Sequence, residues 1–347
     1  MALNAAIVLE VRTAGADTNG GGFKTGATGT DYSQQDAKNT AGNNISTTDA
    51  VAIGTTTITS ATASFTSSIV GNLIYFQGGT GAIAAVWREC TVFTNSTTIT
   101  IDATIASSTG MTMNIGGALA SPGMAGGVVS VAGHTVHIKA GTYSLTSASV
   151  NISGGCVAPT VRSRWIGYQT TRDDYGTPPL WQASGISTAT IFAFPAQDGQ
   201  LLNVDVDGAT LTSIRGITMS NRGFAYKCGA QNCTNTGIVV GGQIAVKCYA
   251  TGCTTAGSGL SVGTGGTLYG CESYANTVPG VFYGGSAHVS HCLSYGNTGA
   301  SSDGFQTTGN SNGISNCTAY GNGRSGFYNG GVTTAIVARA QLPRAQR

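Results

Sequence analysis

A repeat in the last third of the chain constrains the fold more than any other feature of the sequence. Its copies align on five cysteines, at intervals of 20, 23, 21 and 25 residues: Cys228, Cys248, Cys271, Cys292 and Cys317. A small residue stands two positions after each cysteine, at Ala230, Ala250, Ser273, Ser294 and Ala319. Self-similarity with a period of about 20 to 30 residues is typical of solenoids, in which each repeat forms one coil.

The residue types in the repeat favour one kind of solenoid, the parallel β-helix. A leucine-rich repeat would show leucine at fixed offsets, and helical repeats would have few glycines, whereas this chain has 53 glycines. Equivalent residues of a parallel β-helix stack about 4.8 Å apart along its axis. We therefore predict an all-β fold in which the five cysteines form an inward ladder.

A second ladder is predicted five positions after the cysteines, at Cys233, Cys253, Asn276, Asn297 and Asn322. An inward asparagine at a bend can hydrogen-bond to the asparagines of the neighbouring coils and to the backbone of the turn. Glycine near the same bends supplies positive φ. We therefore expect Asn276, Asn297 and Asn322 to line the interior.

The cysteine pairs also allow a metal-binding interpretation. Cys228 and Cys233, followed by Cys248 and Cys253, would supply four thiolates to zinc. The separation between the two pairs equals the length of one coil, however, so stacking alone produces the same spacing. Because buried thiols commonly behave as small apolar side chains, we favour a reduced, metal-free ladder and expect no cofactor.

The rest of the chain has different patterns, which divide the protein into four parts. β-Branched and polar residues alternate between Gly or Asn turns ahead of the coils, which predicts antiparallel strands. Short helices are predicted in "GTDYSQQDAKNT" and around residues 122–128. The four parts are 1–44, an N-terminal arm with a short helix; 45–115, a small antiparallel β subdomain; 116–335, the β-helix with an N-terminal cap; and 336–347, a basic tail.

Two sets of basic residues outside the coils are given structural interpretations. His134 and His137 are expected to be surface or turn histidines, because no carboxylate or cysteine lies at ligand spacing nearby. Arg339, Arg344 and Arg347 are most simply a solvated tail.

Charge and hydropathy exclude several classes of function. Charged residues make up 9% of the chain, the net charge is +2 and the basic residues are scattered, so nucleic acid and membrane surfaces are not expected partners. No stretch approaches the roughly 20 apolar residues that cross a bilayer. The first segment, "MALNAAIVLEVRTAG", lacks a basic region and is interrupted by Glu10 and Arg12, so we expect no signal peptide.

The segments "VRTAGADTNGGGF", "HTVHIKAGTYSL" and "WIGYQTTRDDYGTPP", followed by coils that carry Cys and Asn, resemble right-handed parallel β-helix proteins of the pectate-lyase-like superfamily, especially those of bacteriophages. The resemblance implies a structural, virion-associated protein, such as a tail fibre, tail spike, appendage or capsid decoration protein. It implies a homotrimer that assembles with other virion proteins. We expect such a protein either to adhere to a host-surface glycan or only to decorate or extend the particle. The resemblance also implies an alternative, a polysaccharide-degrading lyase or glycoside hydrolase.

The best catalytic candidates lie in "LLNVDVDGATLTSIRG". If the apolar residues face inward, Asn203, Asp205 and Asp207 face outward on one strand, with the carboxylates about 7 Å apart. That separation suits an inverting glycosidase pair, or a calcium-assisted lyase site with Arg215 as the base. Outward polar residues on a solenoid are usually solvated, and the recognisable motifs of catalytic relatives are absent, so we do not expect catalysis.

Three tyrosines form the remaining candidate site. Tyr274, Tyr295 and Tyr320 stand three positions after the cysteines of the last three repeats, which predicts an aromatic ladder. An exposed ladder can stack against sugar rings, whereas a packed ladder would serve subunit contacts or hold the coils together. The sequence leaves both interpretations open, with a slight preference for packing.

Overall fold

The structure is a computed structural model that describes residues 3, 6–37, 45–128, 133–146, 150–151, 163–187, 189–194, 199–219, 223–307 and 313–330. The predicted basic tail at 336–347 lies outside these residues. Within them, the helical segments are α1 (Pro122–Val128) and a single 3-10 turn at Ser67–Ile69, and the other regular segments are strands. Helix α1 lies where the sequence predicts a helix.

The described residues divide into two units. The first contains the residues up to 141 together with 163–174, and the second contains 142–151 and 175–330. The strands before the regular coils are β1 (Ile7–Val11), β2 (Gly22–Lys24), β3 (Ser46–Ala52), β4 (Thr57–Thr59), β5 (Leu73–Gly78), β6 (Ile83–Asn95), β7 (Thr98–Ile101), β8 (Ser108–Ile115), β9 (Thr135–Lys139), β10 (Thr142–Leu145), β11 (Val150–Asn151), β12 (Arg164–Tyr168), β13 (Leu180–Ala183) and β14 (Thr190–Phe194).

The regular coils all belong to the second unit, and each contains three short strands. They are β15 (Gln200–Leu202), β16 (Asp205–Asp207) and β17 (Arg215–Met219); β18 (Phe224–Tyr226), β19 (Gly229–Gln231) and β20 (Ile238–Val240); β21 (Ile244–Val246), β22 (Tyr249–Thr251) and β23 (Leu260–Val262); β24 (Thr267–Tyr269), β25 (Glu272–Tyr274) and β26 (Val281–Tyr283); β27 (His288–Ser290), β28 (Leu293–Tyr295) and β29 (Phe305–Thr307); and β30 (Gly313–Ser315), β31 (Thr318–Tyr320) and β32 (Phe327–Asn329).

The first unit contains a small closed barrel in the order β3-β4-β7-β6-β5-β8. Every neighbouring pair in it is antiparallel. Alternate residues of these strands point into one apolar core, which includes Ile58, Ile74, Phe76, Ile99 and Met113. The alternation of β-branched and polar residues therefore corresponds to an inward and an outward face, as the sequence predicts for this region.

Two segments among the described residues before residue 38, β1 and β2, form sheet strands, so the prediction of an N-terminal arm was wrong for these segments. Strand β1 pairs in parallel with β9 and antiparallel with β2, and β9 pairs in parallel with β12. Ile7, Leu9 and Val11 alternate along β1 and are fully buried. This alternation gives β1 an apolar face that only a sheet position can cover.

The helix predicted in "GTDYSQQDAKNT" was also wrong for residues 29–37, and residues 38–40 lie outside the described part of the chain. The Asp31 carboxylate accepts hydrogen bonds from the Ser33 backbone N–H at 2.9 Å and from the Ser33 hydroxyl at 2.5 Å. The chain continues from this Asx turn through turns and bends at residues 32–36 and not through a helix.

His134 and His137 are buried in the first unit, with 1% and 7% of their surface exposed, so the surface interpretation was wrong. Burial lowers the pKa of His134, and burial together with the Arg172 cation lowers the pKa of His137 to about 4. Arg172 itself forms ion pairs with Glu10 and Asp31. His137 therefore packs as a neutral ring beside this ion-pair network.

The second unit is a parallel β-helix of about six regular turns, which confirms the predicted fold class. Its first sheet contains β15-β18-β21-β24-β27-β30, its second β10-β13-β16-β19-β22-β25-β28-β31 and its third β11-β14-β17-β20-β23-β26-β29-β32. Successive strands of each sheet are parallel and in register, as in the pairs Ala230 with Ala250 and Ser273 with Ser294. Each strand residue therefore lies over its equivalent in the coil below.

Small and apolar residues fill the interior of the coils. The middle residues of the second-sheet strands form an inward column: Val206, Ala230, Ala250, Ser273, Ser294 and Ala319. The structure places all five ladder cysteines at the bend between the first and second sheets, as free thiols that are at most 3% exposed. Neighbouring ladder members touch: the Cys292 backbone N–H donates to the Cys317 Sγ at 3.4 Å.

A residue with positive φ precedes the inward residue at each bend. Before the cysteines these residues are Lys227, Lys247, Gly270, His291 and Asn316, and before the second ladder they are Asn232, Gly252, Ala275, Gly296 and Gly321. Six of the ten are not glycine, so the expectation that glycine supplies the bends describes only part of them. An L-residue in this conformation costs about 1–2 kcal/mol relative to the right-handed region.

We expect Ala275→Gly to raise the free energy of unfolding by about 0.5–1 kcal/mol, because relief of the left-handed strain exceeds the added entropy of the unfolded chain. Gly296→Ala is the matched control at the next coil, where a Cβ would lie 3.9 Å from its nearest atom, so only backbone strain opposes it. It should lower stability by about 1 kcal/mol. Urea denaturation measures both changes, and a destabilising Ala275→Gly would contradict the assignment.

The asparagine ladder lies at the bend between the second and third sheets. Asn297 accepts a hydrogen bond from the Asn276 side-chain amide at 2.8 Å and donates one to the Asn322 side-chain oxygen at 2.8 Å. It also donates to the Ser294 hydroxyl at 3.1 Å. Asn276 and Asn297 are fully buried. Each amide therefore satisfies the one in the next coil.

We expect Asn297→Leu to lower the free energy of unfolding by about 1–3 kcal/mol, because it leaves the fully buried amide of Asn276 without its partner in the next coil. Asn322→Leu is the control within the same ladder. Asn322 is partly exposed, so water can replace the lost hydrogen bonds and the cost should be smaller. Equal thermal midpoints for Asn297→Leu and the unmodified protein would contradict this account.

Candidate functional site

The outward face of the second sheet brings together two sets of residues that the sequence presents separately. Asp207 and the three tyrosines occupy the same outward column, which crosses seven successive strands: Gln182, Asp207, Gln231, Thr251, Tyr274, Tyr295 and Tyr320. Every member of this column carries a hydrogen-bonding group. The parallel register therefore builds a polar, aromatic stripe along the axis of the second unit.

The three tyrosine rings stack on one another. The centroids of Tyr274 and Tyr295 are 5.1 Å apart with an interplanar angle of 8°, and those of Tyr295 and Tyr320 are 5.0 Å apart at 10°. Both faces of the Tyr295 ring are therefore covered by a neighbouring tyrosine. Such pairs are favourable in the offset arrangement, so the ladder contributes to the packing of one coil on the next.

This stacking limits what the ladder can offer a ligand. A sugar ring cannot stack on the inner faces, because the neighbouring tyrosines occupy them. The ring edges and the phenolic hydroxyls remain available, and Tyr320 is 43% exposed. The ladder thus presents a row of hydroxyls that donate and accept hydrogen bonds at the spacing of the coils, about 5 Å.

Asp207 stabilises the turn that follows it by accepting hydrogen bonds. It is 6% exposed and accepts hydrogen bonds from the Ala209 backbone N–H at 2.7 Å and from the side-chain amides of Asn232 and Gln231, each at 3.1 Å. The Gln182 side chain donates a fourth at 3.4 Å. With its acceptor sites used in this way, Asp207 is not a free partner for Asp205 in acid-base chemistry.

The expectation that Asn203, Asp205 and Asp207 share one strand was wrong for Asn203. Asn203 lies in the bend between β15 and β16, with φ +54°, and is 3% exposed. The polar run "NVDVD" therefore contains a turn, and the alternation of inward and outward residues restarts after it.

Asp205 forms the most specific polar contact on this face. The Tyr249 hydroxyl donates to the Asp205 carboxylate at 2.6 Å, although the two residues are two coils apart. Gly229 lies between them in the same column, and a Cβ there would lie 2.2 Å from the Tyr249 ring. The absence of a side chain at Gly229 lets the tyrosine lie across that coil, and the exposed Glu272 follows Tyr249 in the column.

Partial burial raises the pKa values of both members of this pair. Desolvation raises the pKa of Asp205, and the Tyr249 hydrogen bond opposes that shift in part. Burial and the neighbouring Asp205 raise the pKa of Tyr249, so the tyrosine remains a neutral donor. The arrangement is a carboxylate held by one phenol, with no second free acid beside it among the described residues.

Arg215 is not part of this face. It begins β17 in the third sheet, where it pairs with Thr190, whereas both aspartates lie on β16 of the second sheet. The structure therefore does not assemble Asp205, Asp207 and Arg215 into one catalytic set. Within the described ranges, no group of three or more His, Cys, Asp or Glu side chains is placed to hold a metal ion.

Tyr249 is the residue of this face that sequence reasoning missed. It stands one position after a ladder cysteine, at the same place as Gly229, Glu272, Leu293 and Thr318 in the other repeats. Comparison of that position across the repeats predicts that these residues stack in one column. No sequence pattern shows that the tyrosine extends past a glycine to an aspartate two coils away.

No protein-family model matches the chain, and no curated protein sequence matches it. Among solved structures it is similar to the pectate lyase Pel9A, at 13% identity and a TM-score of 0.50, over 65% of this chain and 68% of that one. It is also similar to ORF18 of Geobacillus virus E2, at 13% identity and a TM-score of 0.38, over 60% of this chain and 56% of the viral protein.

A third similar structure is the A-module of the mannuronan C-5 epimerase AlgE4 of Azotobacter vinelandii, at 13% identity and a TM-score of 0.40, over 57% of this chain and 65% of that one. At these identities the comparisons concern the fold. The resemblance to parallel β-helix proteins of the pectate-lyase-like kind is confirmed at that level. No helix among the described residues is long and apolar enough to span a membrane.

We expect Asp205→Asn to stabilise the protein at neutral pH. Asparagine still accepts the Tyr249 hydrogen bond but cannot ionise. Because the pKa of Asp205 is raised in the folded state, its ionised form opposes folding, and wild-type stability falls as the pH rises from the ordinary value of 3.8 through the folded pKa. The gain from Asp205→Asn should therefore be least at pH 3 and reach a plateau above the folded pKa.

Urea denaturation between pH 3 and pH 8 measures this gain. Tyr249→Phe is the matched background, because loss of the hydroxyl removes the interaction that lowers the pKa of Asp205. The gain at pH 7 should be greater in that background. If the stability gained by Asp205→Asn were largest at pH 3, the folded state would favour the ionised form of Asp205, and this prediction would be contradicted.

Proposed function

We propose that this protein is a structural, virion-associated protein of a phage-like particle, and that the outward face of its second sheet adheres to a host-surface glycan. The observation that supports adhesion is the stacked tyrosine ladder in the outward column, where three successive coils each present a phenolic hydroxyl. A linear glycan is itself a repeating chain of hydroxyls, so a row of donors and acceptors at regular spacing suits it.

The virion role is supported by the resemblance of the sequence segments to phage β-helix proteins and by the physical character of the fold. A stack of coils is stiff along its axis and can carry a long binding surface, which suits a fibre, spike, appendage or decoration protein. We further propose that the protein is a homotrimer bound to other virion proteins. Light scattering at micromolar concentration tests this, and a monomeric mass would contradict it.

Removal of the phenolic hydroxyls of the tyrosine ladder, with the rings kept, tests the adhesion proposal. In a triple variant with phenylalanine at Tyr274, Tyr295 and Tyr320, the rings still stack, so the fold should be retained. Each lost hydrogen bond is worth about 0.5–1.5 kcal/mol, so affinity should fall by about tenfold or more. Binding to a panel of bacterial capsular and lipopolysaccharide oligosaccharides is the measurement, on a glycan array and then by calorimetry.

Tyr269→Phe is the control, because Tyr269 is an exposed tyrosine of the first sheet, away from this face. It should bind the panel as the unmodified protein does. Unchanged binding by the triple variant, or no binding by any form, would contradict adhesion through this face. Release of reducing ends that Asp205→Ala abolishes would instead establish the polysaccharide-degrading alternative.

A further inference from the structure

A second surface feature lies where the chain enters the strands of the third sheet, and it is independent of the tyrosine column. It is a cleft of about 340 Å³, lined among the described residues by Ala189, Thr190, Ser213, Arg215 and Asn235. These residues come from three successive coils. A volume of this size falls at the lower end of small-molecule sites, which measure about 300–1,000 Å³, so the cleft is large enough for one sugar residue.

Backbone hydrogen bonds hold the walls of the cleft in place. The Arg215 N–H donates to the Ala189 carbonyl at 2.9 Å, and the Asn235 N–H donates to the Ile214 carbonyl at 3.0 Å. The Ile214 N–H donates to the Thr234 hydroxyl at 3.0 Å. The three coils are thereby tied to one another at the cleft, so a ligand would meet a preformed site.

The described residues that line the cleft offer hydrogen-bond donors and one positive charge. Arg215 is exposed, forms no ion pair with any described carboxylate, and carries five N–H donors in a planar fork. Ser213 and Thr190 add hydroxyls. The side-chain oxygen of Asn235 already accepts the Thr236 N–H at 2.8 Å, which leaves its NH₂ group as the donor it can offer. None of the lining residues that the structure describes is acidic.

A cleft of donors around a positive charge selects a ligand with negatively charged oxygens. The planar guanidinium group can donate two parallel hydrogen bonds to the oxygens of one carboxylate or phosphate. Such charge-assisted hydrogen bonds are about twice as strong as neutral ones. We propose that this cleft is an oxyanion subsite, which binds a carboxylated, sulfated or phosphorylated sugar residue of the glycan. The identification of the ligand as glycan-borne rests on the proposed adhesive function.

The test uses monosaccharide probes that differ in one group. Methyl glucuronide, glucose 6-sulfate and glucose 6-phosphate carry the three oxyanions, methyl glucoside is neutral, and inorganic phosphate has no sugar. Titration followed by NMR should show that at least one anionic sugar binds about tenfold or more tightly than methyl glucoside and than inorganic phosphate. The probe that binds most tightly identifies the source of the oxyanion.

Two substitutions in the cleft should abolish that preference. Arg215→Gln removes the charge and the fork. Asn235→Asp keeps the acceptor for the Thr236 N–H but places a carboxylate in the cleft, so it should repel every anionic probe. Arg164→Gln is the control, because Arg164 is also an exposed arginine at the first residue of a strand, in the first unit. It should leave all the affinities unchanged.

The outcomes separate this proposal from the adhesive function. Equal binding of the anionic sugars and methyl glucoside, or an anionic preference that survives Arg215→Gln, would overturn the subsite. Binding of inorganic phosphate as tight as that of the sugars would show an adventitious ion only and would overturn it too. If the probes bind as expected while no host glycan is bound, the subsite stands and the adhesive function fails.

Discussion

Backbone hydrogen bonds between successive coils are the interaction on which the rest of the second unit depends. Its strands in the regular coils are mostly three residues long, too short to form a stable structure alone, and each coil supplies the donors and acceptors that the next one needs. Because the strands are parallel and in register, every side chain lies over its equivalent in the coil below. The columns of the structure follow from this constraint.

Stacking in register restricts which polar residues the interior can contain. A side chain that repeats along the axis must be able to pair with itself, and an amide can do so because it both donates and accepts. Asn276, Asn297 and Asn322 pair in this way. A repeated carboxylate or ammonium would meet a like charge about 4.8 Å away, which is consistent with a chain in which only 9% of residues are charged.

The repeating coils were predictable from the sequence, and so were helix α1 and the antiparallel strands before the coils, but individual bends and turns were not. The spacing of the cysteines predicts the coils, and the residues two and five positions later predict the interior columns. The helix expected in "GTDYSQQDAKNT" is replaced at residues 32–36 by turns and bends, among them an Asx turn at Asp31, which the residue pattern does not reveal. Asn203 occupies a bend within an alternating run, which interrupts the inward and outward order there.

The contact between Asp205 and Tyr249 and the cleft at Arg215 depend on departures from the repeat, and this explains why sequence reasoning found the candidate sites only in part. Tyrosines that repeat were recognised as a ladder, but their mutual stacking, which covers both faces of Tyr295, is a property of three-dimensional packing. The contact between Asp205 and Tyr249 exists only because Gly229 breaks the column between them. Arg215 likewise stands where its neighbour in the column is Thr190, and it forms no ion pair with a carboxylate of the described residues. A solenoid whose interior must repeat can differ freely from coil to coil only on its outside. The outward positions where equivalent residues differ in charge or size are therefore where recognition of a particular ligand can arise.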